Sequence, residues 1–272
     1  MANRTGRIVR LGALKTASVL GFVLLGSPLA AASLSMAPAP PSVPSFFFGE
    51  RLVYDISWGG IKVGEGVLQS EAGEPLNGRE VFRIRSTATS NNFLSYIFPV
   101  KDRIESVIDA NGLYPYKITV DQKHGFRQRY KEIQFDQDGH TAVLLSKGKE
   151  SRYEVPPQVQ DILSCLYYFR TFPQLENGTS VFIDVHESKK NYKLEIKILG
   201  RETLKTALGT IPTVKVKAVV MFEGILWDKG DLYLWLTDDA RHIPVRMNGK
   251  VAIGSVTATL TQSEPQQLVP GP

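Results

Sequence analysis

From Phe47 onward, apolar and polar residues follow a period of two. Leu52, Tyr54, Ile56 and Trp58 alternate with Val53, Asp55 and Ser57. Tyr192, Leu194, Ile196 and Ile198 alternate with Asn191, Lys193, Glu195 and Lys197, and Val214, Val216, Ala218 and Val220 with Lys215, Lys217 and Val219. Successive side chains of a strand point to opposite faces, so this pattern predicts half-buried β-strands. Asn77-Gly78, Asn111-Gly112, Asp138-Gly139, Asn177-Gly178 and Asn248-Gly249 punctuate them. Asn or Asp followed by Gly supplies the positive φ of a tight reversal, which predicts antiparallel meander connections.

One segment departs from the rhythm. After Pro156-Pro157, the residues Ile162, Leu163, Leu166 and Phe169 recur at helical spacing, Asp161 stands where an N-cap accepts backbone N–H groups, and Pro173 stops propagation. The spacing predicts one helix over about 162–172. A lone helix with a bulky apolar face, set at mid-chain among strands, needs a surface to pack on. The expected fold is therefore all-β and mainly antiparallel, a large curved sheet or incomplete β-barrel with that helix covering it.

The first residues have a different character. Arg4, Arg7, Arg10 and Lys15 precede an apolar stretch through Val19–Leu25 and then Ala30-Ala31-Ala32, the order of a secretory signal with a small-residue cleavage site. Residues 1–32 are read as a signal peptide with a mature start near Ser33. The apolar run is about ten residues long, against the ~20 that a membrane anchor requires. With no Cys after that run, the mature protein is expected in the periplasm without a lipid tether. Residues 33–46, with Pro38, Pro40, Pro41 and Pro44, read as an extended linker, 47–263 as one β-rich domain and 264–272 as a flexible tail.

Charge changes meaning once that leader is set aside. The chain of 272 residues carries a formal charge of +5 from 32 basic and 27 acidic residues. Removing the four leader cations leaves 28 basic residues against 27, a net charge of +1, and with it goes the electrostatic case for nucleic acid. Cys165 is the only cysteine, so stability rests on the core and not on disulfides.

The candidates for chemistry are sparse. His124, His140, His186 and His242 form no paired metal-ligating spacing, and no metal or cofactor is expected. Asp184, His186 and Ser188 look like a hydrolase trio, yet side chains two apart on a strand stand about 7 Å from each other, too far for direct hydrogen bonds. In the run Lys101–Ile108, alternation places Asp102 and Ser106 on the face of Ile104 and Ile108. An inward Asp102 requires a cation, and Arg83, Arg85, Arg103 or Arg170 could supply it, most simply as a pair pinning the helix to the sheet. Trp58, Tyr167-Tyr168-Phe169, and Tyr233 with Trp235 opposite Leu232, Leu234 and Leu236 suggest either a thick core or a cavity for an apolar or sugar-bearing ligand. The candidate ligand-binding residues are Asp102, Ser106, Tyr168, Arg170, Trp58 and Trp235.

Four stretches carry a family resemblance: Gly49–Trp58, Pro99–Ser106, Gln160–Ser164 running on to Tyr167–Arg170, and Trp235–Asp239 through Ile243–Val245. Across residues about 47–263 the chain resembles the bacterial exported proteins grouped as domain of unknown function 3108. The resemblance implies an exported β-rich domain and transfers no catalytic residue. Ile162 stands where such sequences tend to have Pro after the capping Asp, which leaves the cap intact because Pro is merely favoured there. The plan also looks like the open barrel with helical plug of periplasmic lipoprotein carriers, an analogy of fold alone. The leading expectation is a non-enzymatic periplasmic protein binding an apolar or envelope-derived ligand, with a lipid, glycan or envelope protein as partner. The alternatives are a hydrolase of envelope glycan or ester bonds using Asp102, Glu105 or His186, and an envelope-assembly factor binding protein through a sheet edge.

Overall fold

Among the described residues, fifteen strands form one sheet in which every neighbouring pair is antiparallel. The structure, a computed structural model, describes residues 47–222, 225–226, 232–250 and 254–264, within the unit Ala39–Pro272. The expected signal peptide and linker, the side chain of Val220 and residues 265–272 of the expected tail lie outside the described residues.

The elements run β1 Arg51–Trp58, β2 Ile61–Ala72, β3 Val81–Ser90, α1 Asn92–Ile97, β4 Val100–Asp109, β5 Pro115–His124, β6 Arg127–Asp136, β7 Thr141–Ser146 and β8 Lys149–Glu154. They continue with α2 Ser164–Phe169, β9 Ser180–Glu187, β10 Lys190–Thr206, β11 Gly209–Phe222, β12 Ile225–Leu226, β13 Leu232–Thr237, β14 Pro244–Lys250 and β15 Ser255–Glu264. The sheet order is β8-β7-β6-β5-β4-β3-β2-β1-β15-β14-β13-β11-β10-β9, with β12 beside β11. β8 and β9, consecutive in the chain, are thus the two ends of one curled sheet, and the segment joining them carries α2. The result is an unclosed β-barrel with a helix entering from the gap. Gln160 of that segment pairs in parallel with Val185 on the edge of β9, where Gln160 N donates to Asp184 O at 2.8 Å and His186 N to Gln160 O at 2.9 Å. A bare strand edge is thereby partly covered.

Antiparallel alternation sorts the connections between two ends. The β1–β2, β3–α1–β4, β5–β6, β7–β8, β9–β10 and β14–β15 connections share one end, here the mouth. The β2–β3, β4–β5, β6–β7, β8–α2–β9, β10–β11 and β13–β14 connections share the other, the closed end. At the closed end α2 packs Leu163 and Tyr167 on Phe47, Leu52, Phe82 and Ile108 of the largest core cluster. Its Phe169 joins a second cluster with Ile183, Ile198 and Val214.

Three expectations need correction. Asn248-Gly249 is no turn: both residues lie in β14, paired with Tyr233 and Leu232 on one side and with Thr257 and Val256 on the other. Ladders on both sides override local turn chemistry. The regular helix α2 is shorter than 162–172, because Asp161 Oδ1 accepts from Leu163 N at 2.7 Å and Ser164 N at 2.8 Å, and i→i+3 turns then bind Thr171 and Phe172 to Tyr168 and Phe169. A second short helix, α1, follows β3, capped by Asn91 Oδ1 accepting from Leu94 N at 2.9 Å.

Candidate functional site

The four stretches that carried the family resemblance converge on α2. Arg170 at its C-terminus is completely buried, and its Nη1 and Nη2 each donate to a carboxylate oxygen of Glu50 at 2.7 Å. The guanidinium also lies 4.6 Å from the ring of Phe47 and 5.0 Å from that of Tyr167. Its Nε donates to Arg241 O at 3.1 Å, and Tyr167 Oη donates to Glu50 at 3.3 Å. At the other end of the helix, Ser106 Oγ of β4 donates to Asp161 Oδ2 at 2.5 Å. Burial pushes the Asp161 carboxyl above the usual carboxylate range, and the hydrogen bonds from Ser106, Ser164 and Leu163 only partly offset it.

The helix is therefore pinned to the sheet, but not by Asp102. Asp102 does share the inward face with Ile104, Ser106 and Ile108, yet it stands toward the mouth, where its carboxylate meets His124 Nε2 at 2.9 Å and Gln122 Nε2 at 3.1 Å. Arg170 lies at the closed end and takes Glu50 instead. A strand advances about 3.3 Å per residue, so a shared face does not mean a shared depth, and the sequence pattern reports only the face. Glu50 was legible only as a member of the first resemblance stretch.

Inside the barrel lies a cavity of about 350 Å³ between α2 and the inner faces of β1–β3, β10, β11 and β13–β15. Leu166 and Phe169 form its helical wall, and Ile56, Val216, Leu234 and Met247 form much of the sheet wall. The inward positions of one strand show where it opens: along β13, exposure rises from 0% at Leu236 through 8% at Leu234 to 42% at Leu232. The same gradient runs along β1 from buried Tyr54 through Ile56 to exposed Trp58. The cavity is closed by the helix and opens toward the mouth.

Few polar groups face this space. Tyr54 Oη donates to Pro244 O at 2.9 Å, which settles the hydroxyl, and burial pushes its phenol well above the usual range. Cys165 lines the cavity, but burial pushes its thiol up to about 12, reinforced by the charge of Asp161, so the thiolate that would act as a nucleophile is suppressed. Among the described residues no group of three or more His, Cys, Asp or Glu is placed to hold a metal ion.

The remaining candidates disperse. Trp58 stands at the mouth. Tyr168 is half-buried outside the cavity lining with its ring against Phe172 at 5.5 Å. Trp235 points to the outer face, where its indole N–H donates to Glu202 and Lys215 Nζ sits 4.9 Å from its ring. Leu234 and Leu236 took the inner face, and alternation sent Trp235 outward. Glu105, odd-numbered on β4 where Asp102 is even, faces outward to Arg85 at 2.9 Å and Arg103 at 3.1 Å. His186 is buried against Phe135 and Tyr153, with Nδ1 2.7 Å from Asn191 Oδ1. Asp184 pairs with Lys193 at 2.8 Å, and Ser188 Oγ accepts from Lys131 Nζ at 2.8 Å, so no trio with His186 forms.

No helix among the described residues is long and apolar enough to cross a membrane. No curated protein matches the chain. A β-barrel-like protein of the domain of unknown function DUF1849 from Brucella abortus superposes with a TM-score of 0.54 at 10% identity, over 79% of this chain and 97% of that one. This likeness concerns the fold. A protein from Parabacteroides distasonis described as a lipoprotein gives a TM-score of 0.35 at 12% identity over 80% of this chain and 98% of its own. One from Bacteroides fragilis described as an exported protein with a YmcC-like fold gives 0.30 at 12% identity over 83% and 98%. Residues 53–261 match the family described as protein of unknown function (DUF3108), and the chain belongs to that family.

Proposed function

We propose that the protein is an exported, non-enzymatic binder of an apolar ligand, held in the cavity between α2 and the sheet. The observation that carries this reading is the cavity itself. Its volume of about 350 Å³ falls in the range of small-ligand sites and is more than twice the ~150 Å³ of an apolar cavity that admits benzene. A core would gain stability by filling such a space, since each unfilled Å³ costs about 24 cal/mol. Its dry lining favours a hydrocarbon chain over a sugar, which would need several donors and acceptors. The paired, structural settings of Glu50 and Asp161 support binding over hydrolysis. Export is proposed from the basic, apolar and Ala-rich order of the first 32 residues.

A fluorescent fatty acid tests this. Saturable one-to-one binding is expected for the wild-type protein. The variant Ala218→Leu/Ala258→Leu, which fills the cavity from two walls, is expected to bind at least about tenfold more weakly, a loss of about 1.4 kcal/mol. No binding by the wild type, or equal binding by both, contradicts the reading.

A further inference from the structure

The two ends of the barrel differ sharply in composition. In the mouth connections 58–62, 90–101, 123–127, 146–150 and 187–190, Lys62, Lys101, Lys123, Arg127, Lys147, Lys149, Lys189 and Lys190 meet two acidic residues, Glu150 and Glu187. In the closed-end connections 72–81, 109–115 and 136–141 the balance inverts: Glu74, Glu80, Asp109, Asp136 and Asp138 meet Arg79. Segregation of this kind produces a field along the barrel axis that a net charge near neutrality hides.

The mouth is also where large apolar side chains stand in water. Ile61, Phe93, Tyr96, Ile97, Phe98 and Phe126 are all exposed there, Tyr96 by 93% and Phe126 fully. They come from the β1–β2, β3–α1–β4 and β5–β6 connections, which adjoin along one side of the opening. Helix α1 has the sequence NFLSYI and buries none of its residues. A helix whose apolar side chains find no core has no reason to be apolar from folding alone, and an exposed apolar patch of this extent marks an interaction site.

We propose that the mouth docks on the surface of a bilayer containing anionic phospholipid. At a membrane–water interface the ring of Tyr96 meets acyl chains while its hydroxyl meets headgroups, and the phenylalanines and isoleucines beside it enter the acyl boundary. Lysine and arginine beside them, as Lys123 and Arg127 flank Phe126, reach back to lipid phosphates. The apolar side chains project from three adjoining connections along one side of the mouth with cations beside them, an arrangement that fits the acyl boundary and anionic headgroups of a lipid surface. The open end of the cavity faces the same way. Resting on the proposed binding function, docking brings the cavity to the bilayer so that an acyl chain passes between them without crossing water.

Co-sedimentation tests the proposal, with protein purified after export of the full chain and vesicles of phosphatidylcholine with or without phosphatidylglycerol. Binding is expected to be about tenfold stronger to the anionic vesicles and to weaken with added salt. The variant Tyr96→Ser/Ile97→Ser/Phe126→Ser is expected to fold normally, since these side chains are exposed, and to lose about tenfold of that binding. Absence of wild-type binding to phosphatidylglycerol vesicles, or equal binding by the variant, overturns the proposal. So does a wild-type dimer that the variant dissolves while neither binds vesicles, which would give the rim to a second copy. Fatty-acid binding in vesicle-free buffer reads the cavity separately. If that alone fails, the docking rim stands, and if vesicle binding alone fails, the cavity stands.

Discussion

Glu50→Gln replaces a carboxylate by an amide of nearly the same volume and leaves the Arg170 guanidinium charged. That guanidinium has no exposed surface, and its two shortest contacts, both 2.7 Å, go to the carboxylate being removed. An isolated buried cation has no compensating solvent, and breaking one side of such a pair costs about 3–5 kcal/mol. The rings of Phe47 and Tyr167 remain over Arg170 and soften the loss without replacing the charge. For a domain of this size each kcal/mol lowers the melting temperature by about 2–4 °C, so a fall of roughly 6–20 °C is expected. Arg170→Met should cost a similar amount for the opposite reason, by stranding Glu50. The double variant Glu50→Gln/Arg170→Met leaves no buried charge and should lose at least about 2 kcal/mol less than the sum of the two single changes. Urea unfolding of the four proteins, read as midpoint and slope, measures this. A Glu50→Gln loss under about 0.5 kcal/mol, the range of ordinary surface changes, would refute the clamp.

Two further outcomes follow from the residues beside the helix. Because burial raises the Asp161 carboxyl in the folded state, the fold holds its proton more tightly than the unfolded chain does. Its contribution is then full below the unfolded value of about 3.9 and is lost as pH rises through the folded value, so the stability of Asp161→Asn relative to wild type should improve from about pH 4 upward. Urea unfolding of both proteins across that pH series checks it, and a constant difference would show that the carboxyl does not titrate as described. Cys165, its thiol held protonated, should react slowly with a small apolar maleimide at neutral pH and more slowly still with fatty acid bound, as followed by intact mass. Fast labelling unaffected by fatty acid would place the thiol outside the ligand space.

Much of the fold was legible because period two is a local signal. The alternations at β1, β10 and β11 and the spacing of Ile162, Leu166 and Phe169 each state which side chains need a dry neighbour, and one apolar face forces the sheet to curl around the helix. Burial depth along a strand is not local. Asp102 and Ser106 share a face, yet Ser106 reaches the helix cap while Asp102 stops near the mouth, because depth depends on how far each strand runs beneath α2. Partner choice is not local either: Glu50 and Arg170 are separated by 120 positions. Helix α1 was hidden for a different reason. Its apolar residues have no buried face, so the amphipathic pattern that reveals a helix is missing, and the same lack makes the mouth conspicuous once the fold is seen. The cavity could not be read at all, since a core and a cavity are lined by the same residue types.

The central claim, that the cavity holds an apolar ligand, is tested most directly by denaturing mass spectrometry of small molecules carried by the protein purified from its native host. The wild-type protein is predicted to release one apolar chain-bearing compound in near-stoichiometric amount, and Ala218→Leu/Ala258→Leu, isolated in parallel, to release none. A wild-type protein that carries nothing, or a filled variant that carries the same compound in the same amount, would contradict it.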